Sequence, residues 1–121
     1  MSAGGTWADQ STVGANDDYD SGLGEPGCPS GSASGNDRVY VATPATTTEY
    51  KVTVEPDASF DPFIYVRASC SDQACMAGTV FNGPGQPETV TFELQANETG
   101  HIIVDGELGD SGDYTLTVEI L

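Results

Sequence analysis

The sequence predicts an all-β fold, a two-sheet antiparallel β-sandwich of about seven to eight strands with a long N-terminal loop. Three observations lead to this prediction. Several stretches alternate apolar with polar residues, which is the period of a half-buried strand. Clusters of Gly, Pro, Asp and Asn separate these stretches. No stretch has the apolar period of a helix, so folds in which strands alternate with helices are excluded.

The N-terminal part of the chain is poor in large apolar residues. Residues 1–9 are predicted to form a linker and residues 10–121 a single domain, with short edge pairings near 5–13. From 14 to 35 the composition is that of a loop, rich in Gly, Ser and Asp. A loop of this length inside a domain is uncommon unless it has a function, such as holding an ion.

The central strand is predicted within residues 57–67, Asp-Ala-Ser-Phe-Asp-Pro-Phe-Ile-Tyr-Val-Arg. Asp57 and Asp61 are interpreted as turn residues that cap free backbone N–H groups. Pro62 can only begin the strand, because it has no N–H to donate to a neighbour. The aromatic and β-branched residues that follow it predict a strand buried on both faces.

The remaining strands are predicted wherever the alternation or the apolar content is clear. Their expected ranges are 37–43, 49–55, 78–81, 88–95, 101–105 and 113–121. In each alternating strand one set of side chains faces the core; the clearest sets are Tyr50, Val52 and Val54, and Val90, Phe92 and Leu94. Gly109 and Gly112, before the last strand, are expected to adopt positive φ.

The charge excludes some classes of partner. Nineteen acidic residues against three basic ones give a formal net charge of −16. Such a surface repels phosphate backbones and anionic lipids, so neither nucleic acid nor a membrane is an expected partner. No apolar run approaches the roughly 20 residues that span a bilayer, and no signal peptide is recognisable. Divalent-cation binding, a saline habitat and plain solubility all remain explanations of the acidity.

Three cysteines indicate an oxidising compartment. Cys70 and Cys75 bracket four residues and are spaced for a small disulfide loop, while Cys28 is left over. The odd count leaves the pairing open. A zinc site is disfavoured, because the spacing does not fit one and the single histidine, His101, is distant. A local disulfide would place the chain in an exported protein.

No catalytic residues are predicted. His101 stands at the head of an apolar strand, and the chain has no Gly-x-Ser-x-Gly nucleophile motif. Pairs of carboxylates mean little in so acidic a chain. Tyr40 and Tyr65 either face water as part of a ligand surface or pack on the second face of their strands, and the sequence leaves both interpretations open.

Acidic and amide side chains are concentrated near residues 16–20, Asn-Asp-Asp-Tyr-Asp. Ca²⁺ takes roughly six to eight oxygen ligands, and a cation relieves the repulsion between adjacent carboxylates. The alternative is a solvated acidic turn. The ligand spacing is not that of an EF-hand loop.

Several short motifs, taken in order, resemble the bacterial pre-peptidase C-terminal domain family. They lie at 12–19, at 35–40, at 60–67 (Phe-Asp-Pro-Phe-Ile-Tyr-Val-Arg), at the cysteine pair, at 102–106 and at 112–118. The resemblance covers about residues 10–121. It implies a jelly-roll-like, non-catalytic module appended to a secreted protein, where it aids secretion, folding or substrate targeting of attached domains.

Relatives in this family include the collagen-binding domains of bacterial collagenases, in which calcium binds near the N-terminal linker. The resemblance implies that Asn16, Asp17, Asp18 and Asp37 are the matching Ca²⁺ ligands here. The alternative function is an extracellular adhesion module that binds a glycan or protein. In either case we expect a secreted or cell-surface monomer.

Overall fold

The structure of the chain is a computed structural model that describes residues 4–13, 37–68, 75–79, 85–106 and 111–121. Predictions that concern the residues between these ranges lie outside the described part of the chain. They include the long loop at 14–35 and three of the four predicted calcium ligands, Asn16, Asp17 and Asp18.

The described residues form eight strands and no helix, which confirms the predicted all-β class. The strands are β1 (Gly5–Ser11), β2 (Arg38–Ala42), β3 (Thr48–Pro56), β4 (Pro62–Arg67), β5 (Ala77–Thr79), β6 (Glu88–Leu94), β7 (Gly100–Gly106) and β8 (Asp113–Ile120).

The eight described strands form two antiparallel sheets, with four of these strands in each. We call β1-β8-β3-β6 the first sheet and β2-β7-β4-β5 the second sheet. Successive strands change sheets at every connection except that between β4 and β5. This order is the connectivity of a jelly roll, so the predicted sandwich is confirmed in both its layers and its topology.

The main core lies between the two sheets and is built by the alternation of the strands. In β3, Tyr50, Val52 and Val54 are fully buried while the residues between them reach solvent. From β6, Phe92 stacks on Tyr50 with ring centroids 5.7 Å apart. Burying an apolar side chain of this size stabilises the fold by roughly 1.5–3 kcal/mol, so this alternation supplies the main driving force for closing the sandwich.

Strand β4 is buried on both faces, as predicted from its sequence. All six of its residues are buried. Ile64 and Val66 belong to the main core, and Phe63 and Tyr65 form a second cluster on the opposite face of the same sheet. A strand between two neighbours in a sheet, with both faces covered, has the near-continuous apolar sequence that residues 62–66 show.

Three predictions about local structure have different outcomes. The edge pairing predicted near 5–13 is confirmed, because β1 pairs with β8 and packs Trp7 against the core. The short strand β5 begins one residue before the predicted range 78–81 and overlaps it, while residues 80 and 81 lie outside the described part of the chain. Gly112 does not have positive φ; it is required because a Cβ there would lie 2.4 Å from Phe60 Cβ.

Candidate functional site

The outer face of the second sheet brings aromatic, charged and polar side chains together. We call Phe63, Tyr65, Cys75 and Ile103, with the partly buried Val39 beside them, the outer cluster. Tyr65 and Ile103 face each other in the register between β4 and β7, and Val39 faces Ile103 from β2. The same side of these strands also carries Asp105, Arg67 and His101.

Tyr65 and Asp105 form a hydrogen-bonded pair inside this face. The Tyr65 hydroxyl donates to Asp105 Oδ2 at 3.0 Å, and the Gly106 N–H donates to the other carboxylate oxygen at 2.8 Å. Both side chains are 0% exposed. Burial raises the pKa of Tyr65, and the charge of Asp105 raises it further. The phenol therefore stays protonated as a donor to the carboxylate.

Aromatic and cationic contacts complete the surroundings of Tyr65. Phe63 meets the Tyr65 ring edge-on at 5.6 Å between centroids. The Arg67 guanidinium lies 4.9 Å from the centre of the same ring, a cation–π distance. His101 is opposite Arg67 in the register, and its Nδ1 is buried without a hydrogen-bond partner among the described residues.

Asp37 is the one predicted calcium ligand that lies within the described part of the chain. It immediately precedes β2, is 6% exposed, and its negative charge contributes to the raised pKa of Tyr65. No group of three or more His, Cys, Asp or Glu side chains in the described ranges is arranged to hold a metal. Because Asn16, Asp17 and Asp18 lie outside those ranges, the predicted calcium site stays a prediction.

An open acidic depression of about 260 Å³ lies where β3 ends and β8 begins. Its lining includes the acidic residues Glu55, Asp57 and Asp113. Asp57 Oδ1 accepts the Ser59 N–H and hydroxyl, both at 3.2 Å, and the Asp57 N–H donates to the Asp113 carbonyl at 2.9 Å. The prediction that Asp57 makes the turn is therefore confirmed, and these contacts are structural.

Tyr40 and Tyr114 link the two sheets across one margin of the sandwich. Their hydroxyls are 2.6 Å apart, and the Tyr40 hydroxyl also donates to Gln10 Oε1 at 2.8 Å. Burial raises the pKa of both tyrosines. Nearby, Arg38 Nε donates to the Ser11 carbonyl at 2.7 Å. These contacts tie β1 of the first sheet to β2 of the second.

The structure decides between the two interpretations of Tyr40 and Tyr65. Tyr40 packs half-buried against the main core, and Tyr65 is fully buried on the other side of the second sheet. The Tyr65 ring is therefore closed to solvent, while the hydroxyl of the half-buried Tyr40 is bonded to Gln10 and Tyr114. The contact between Arg67 and Tyr65 could have been expected, because the two residues are two positions apart and therefore lie on the same face of an otherwise apolar strand. Nothing in the sequence identified Asp105 as the partner of Tyr65.

Cys75 is disulfide-bonded and lies in the outer cluster, 8% exposed. The other two cysteines, Cys28 and Cys70, are outside the described residues, so the predicted pairing of Cys70 with Cys75 stays a prediction. Within the described ranges no helix is long and apolar enough to cross a bilayer.

No protein-family model, curated protein or solved structure matches this chain. The resemblance to the pre-peptidase C-terminal domain family therefore remains an expectation from the sequence motifs. The jelly-roll topology is compatible with it, but many unrelated functions share such folds.

Proposed function

We propose that the chain is a non-catalytic accessory module of a secreted or cell-surface protein, one that binds or presents rather than transforms. The observation that carries this proposal is the complete burial of the hydrogen-bonded Tyr65–Asp105 pair. A phenol beside a carboxylate is the best acid–base arrangement among the described residues, yet both groups are fully buried and bonded to each other. A catalytic pair must reach a substrate atom within hydrogen-bond distance, whereas this one supports the packing of β4 on β7.

The disulfide supports the extracellular part of the proposal. Cys75 is bonded through sulfur and packed with Phe63 and Ile103. Structural disulfides of this kind form and persist in oxidising compartments and are rare in the reducing cytosol. The net charge of −16 also suits a module that stays dissolved outside the cell.

The position of the first and last strands suits attachment to other domains. Gly5, at the start of β1, pairs with Val118 near the end of β8. A preceding and a following domain would therefore be joined at one end of the sandwich, and the opposite end would stay clear of both. Modules inserted into or appended to larger proteins commonly have neighbouring ends of this kind.

Calcium stabilisation belongs to the same proposal. Asp37 supplies a buried carboxylate at the start of β2, and Asn16, Asp17 and Asp18 would provide the remaining protein oxygens. A hard cation prefers such oxygen ligands. Unfolding curves recorded with calcium and with a chelator test this part: we expect calcium to raise Tm in the native chain and not in Asp37→Asn. Equal Tm values in both conditions would remove calcium and leave the rest of the proposal standing.

A hydrolysis panel of esters, peptides and glycosides tests the non-catalytic role. We expect turnover no faster than in buffer, with Tyr65→Phe and Asp105→Asn changing stability only. Hydrolysis that follows the protein through purification and is lost in Asp105→Asn would overturn the proposal. The adhesion alternative requires a binding surface other than Tyr65, because the Tyr65 ring is fully buried. Tyr40 is half-buried against the main core, and its hydroxyl is bonded to Gln10 and Tyr114.

A further inference from the structure

The four edge strands of the sandwich differ in how well they are protected. β1 is interrupted by a register shift between Trp7 and Gln10. β2 is five residues long and is tied to β1 by the Arg38 and Tyr40 contacts. Only three described residues belong to β5. Short length, irregular register and contacts with another strand are the usual means by which proteins stop an edge from pairing further.

β6 approaches β4 and β5 of the second sheet, but in the described part of the chain it is neither short nor irregular. It is seven residues long and pairs with β3 without interruption, from Thr48 opposite Leu94 to Val54 opposite Glu88. The strand itself contains no proline, and Pro87 lies just before its first residue. Its far side is not paired to any described strand. A regular edge of this length presents a row of backbone donors and acceptors to an added strand.

The charge beside this edge indicates which kind of strand would add. Glu49 on β3 and Glu93 on β6 are directly opposite each other, and both are exposed. Like charges in this arrangement destabilise a sheet. Neither carboxylate has a cationic partner among the described residues, since the nearby Lys51 pairs with Glu119 of β8 at 3.9 Å. A positive charge placed beside Glu93 would relieve this repulsion.

We propose that the β6 edge is a docking strand for an extended cationic segment of another protein. The segment adds to the first sheet beside β6 through backbone hydrogen bonds and places Lys or Arg next to Glu93. Its alternate side chains are apolar and pack beside Val90 and Phe92, which face the core and are 6% and 7% exposed. Backbone pairing supplies affinity, and the alternating side chains supply specificity.

A second copy of this chain is a poor occupant of the same edge. β6 itself carries Glu88 and Glu93 and no basic residue, and each copy brings a net charge of −16. Pairing two β6 strands would add repulsion where a cationic strand adds attraction. The proposal rests on the binding role proposed above and names the chemical class of its partner.

Titration of the ¹⁵N-labelled full chain with a synthetic strand peptide tests the proposal. The peptide spans the length of β6 and alternates Lys with Val. We expect the largest amide shifts at 88–94, and we expect Glu93→Lys to raise Kd about tenfold or more, equivalent to about 1.4 kcal/mol. Glu55→Lys is the matched control, because Glu55 is also exposed and lies at the opposite end of β3; its Kd should change much less.

A peptide of the same sequence with alternate backbone amides N-methylated separates strand addition from simple charge attraction. We expect this peptide to lose binding, since it keeps its charge but cannot donate the backbone hydrogen bonds. Equal binding of both peptides, shifts centred on another edge, or no shifts at millimolar peptide would overturn the proposal. Any of these results leaves the hydrolysis outcome unchanged, so failure of the edge site and failure of the non-catalytic role are distinguishable.

Discussion

The outer faces of the two sheets are built for different surroundings. Across the first sheet, one row of threonines runs over all four strands, formed by Thr6, Thr117, Thr53 and Thr89, and each of these residues is exposed or half-buried. The corresponding positions of the second sheet hold Phe63, Tyr65 and Ile103, all 0% exposed. The first sheet therefore has one apolar face and one wet face, while the second is dry on its inner face and at the centre of its outer face.

The difference teaches that the sandwich contains two apolar layers rather than one. Closing the two sheets buries the main core, and the outer cluster buries a second set of rings on the far side of β4 and β7. The charged residues Asp105 and Arg67 lie beside the outer cluster, where Tyr65 makes a hydrogen bond to Asp105 and a cation–π contact with Arg67. Substitutions on the two outer faces should therefore have very different costs.

The largest expected effect is that of removing the tyrosine ring from the outer cluster. Tyr65→Ala should lower the free energy of unfolding by about 3–5 kcal/mol, because it leaves a cavity and takes the donor from a buried carboxylate. The matched substitution on the wet face, Thr53→Ala, should change it by no more than about 0.5 kcal/mol. Urea unfolding followed by circular dichroism measures both. Similar small costs at the two positions would contradict the comparison.

Loss of the disulfide should have the next largest effect. Cys75→Ser should lower the free energy of unfolding by about 2–4 kcal/mol, because the cross-link limits the freedom of the unfolded chain. Cys28→Ser and Cys70→Ser identify the partner, since only the partner's substitution should match the loss caused by Cys75→Ser. If reduction of the native chain leaves Tm unchanged, the disulfide does not stabilise the outer cluster.

The buried tyrosines should make the fold sensitive to alkali. Burial raises the pKa of Tyr65 and of Tyr114 above the ordinary value of 10.0. Above that value the unfolded chain releases these protons while the folded chain keeps them, so stability should fall as pH rises. Tyr65→Phe should make the fall less steep. Free energies of unfolding measured across the alkaline range test this, and an unchanged slope would place Tyr65 in water.

The smallest expected effect is on the wet face of the first sheet. Lys51 and Glu119 form an ion pair at 3.9 Å, and their side chains are 43% and 54% exposed. Such pairs contribute about 0–1 kcal/mol and less at high salt. Lys51→Met should therefore change the midpoint of urea unfolding very little. A large, salt-sensitive loss would mean that this face is not as open to solvent as the exposure indicates.

The strand pattern could be predicted because a two-residue period records which side chains face the core. In β3, for example, the apolar residues Tyr50, Val52 and Val54 alternate with polar ones and are the residues that are buried. The same period is ambiguous when both faces of a strand are apolar, and this is why Tyr65 could be read as a ligand residue or as packing. Only the register of β4 with β7 brings Asp105 within reach of the Tyr65 hydroxyl, and no local sequence signal encodes that register.

The reason for a glycine was also beyond the sequence. A glycine before a strand is consistent with positive φ or with a close approach, and Gly112 proves to be the second case through its contact with Phe60. The predicted calcium site depends on a similar non-local distance. Asp37 is buried at the start of β2, but its distance from Asn16, Asp17 and Asp18 depends on the course of a long loop, which the composition does not determine.

The pairing of Gly5 with Val118 also bears on how the module would respond to mechanical force. A pull applied to the start of β1 and the end of β8 acts on one end of an antiparallel pair, so the hydrogen bonds open one after another instead of being sheared together. The sandwich would then unzip from that end under modest tension. Between two attached domains it would behave as an extensible link rather than as a rigid rod.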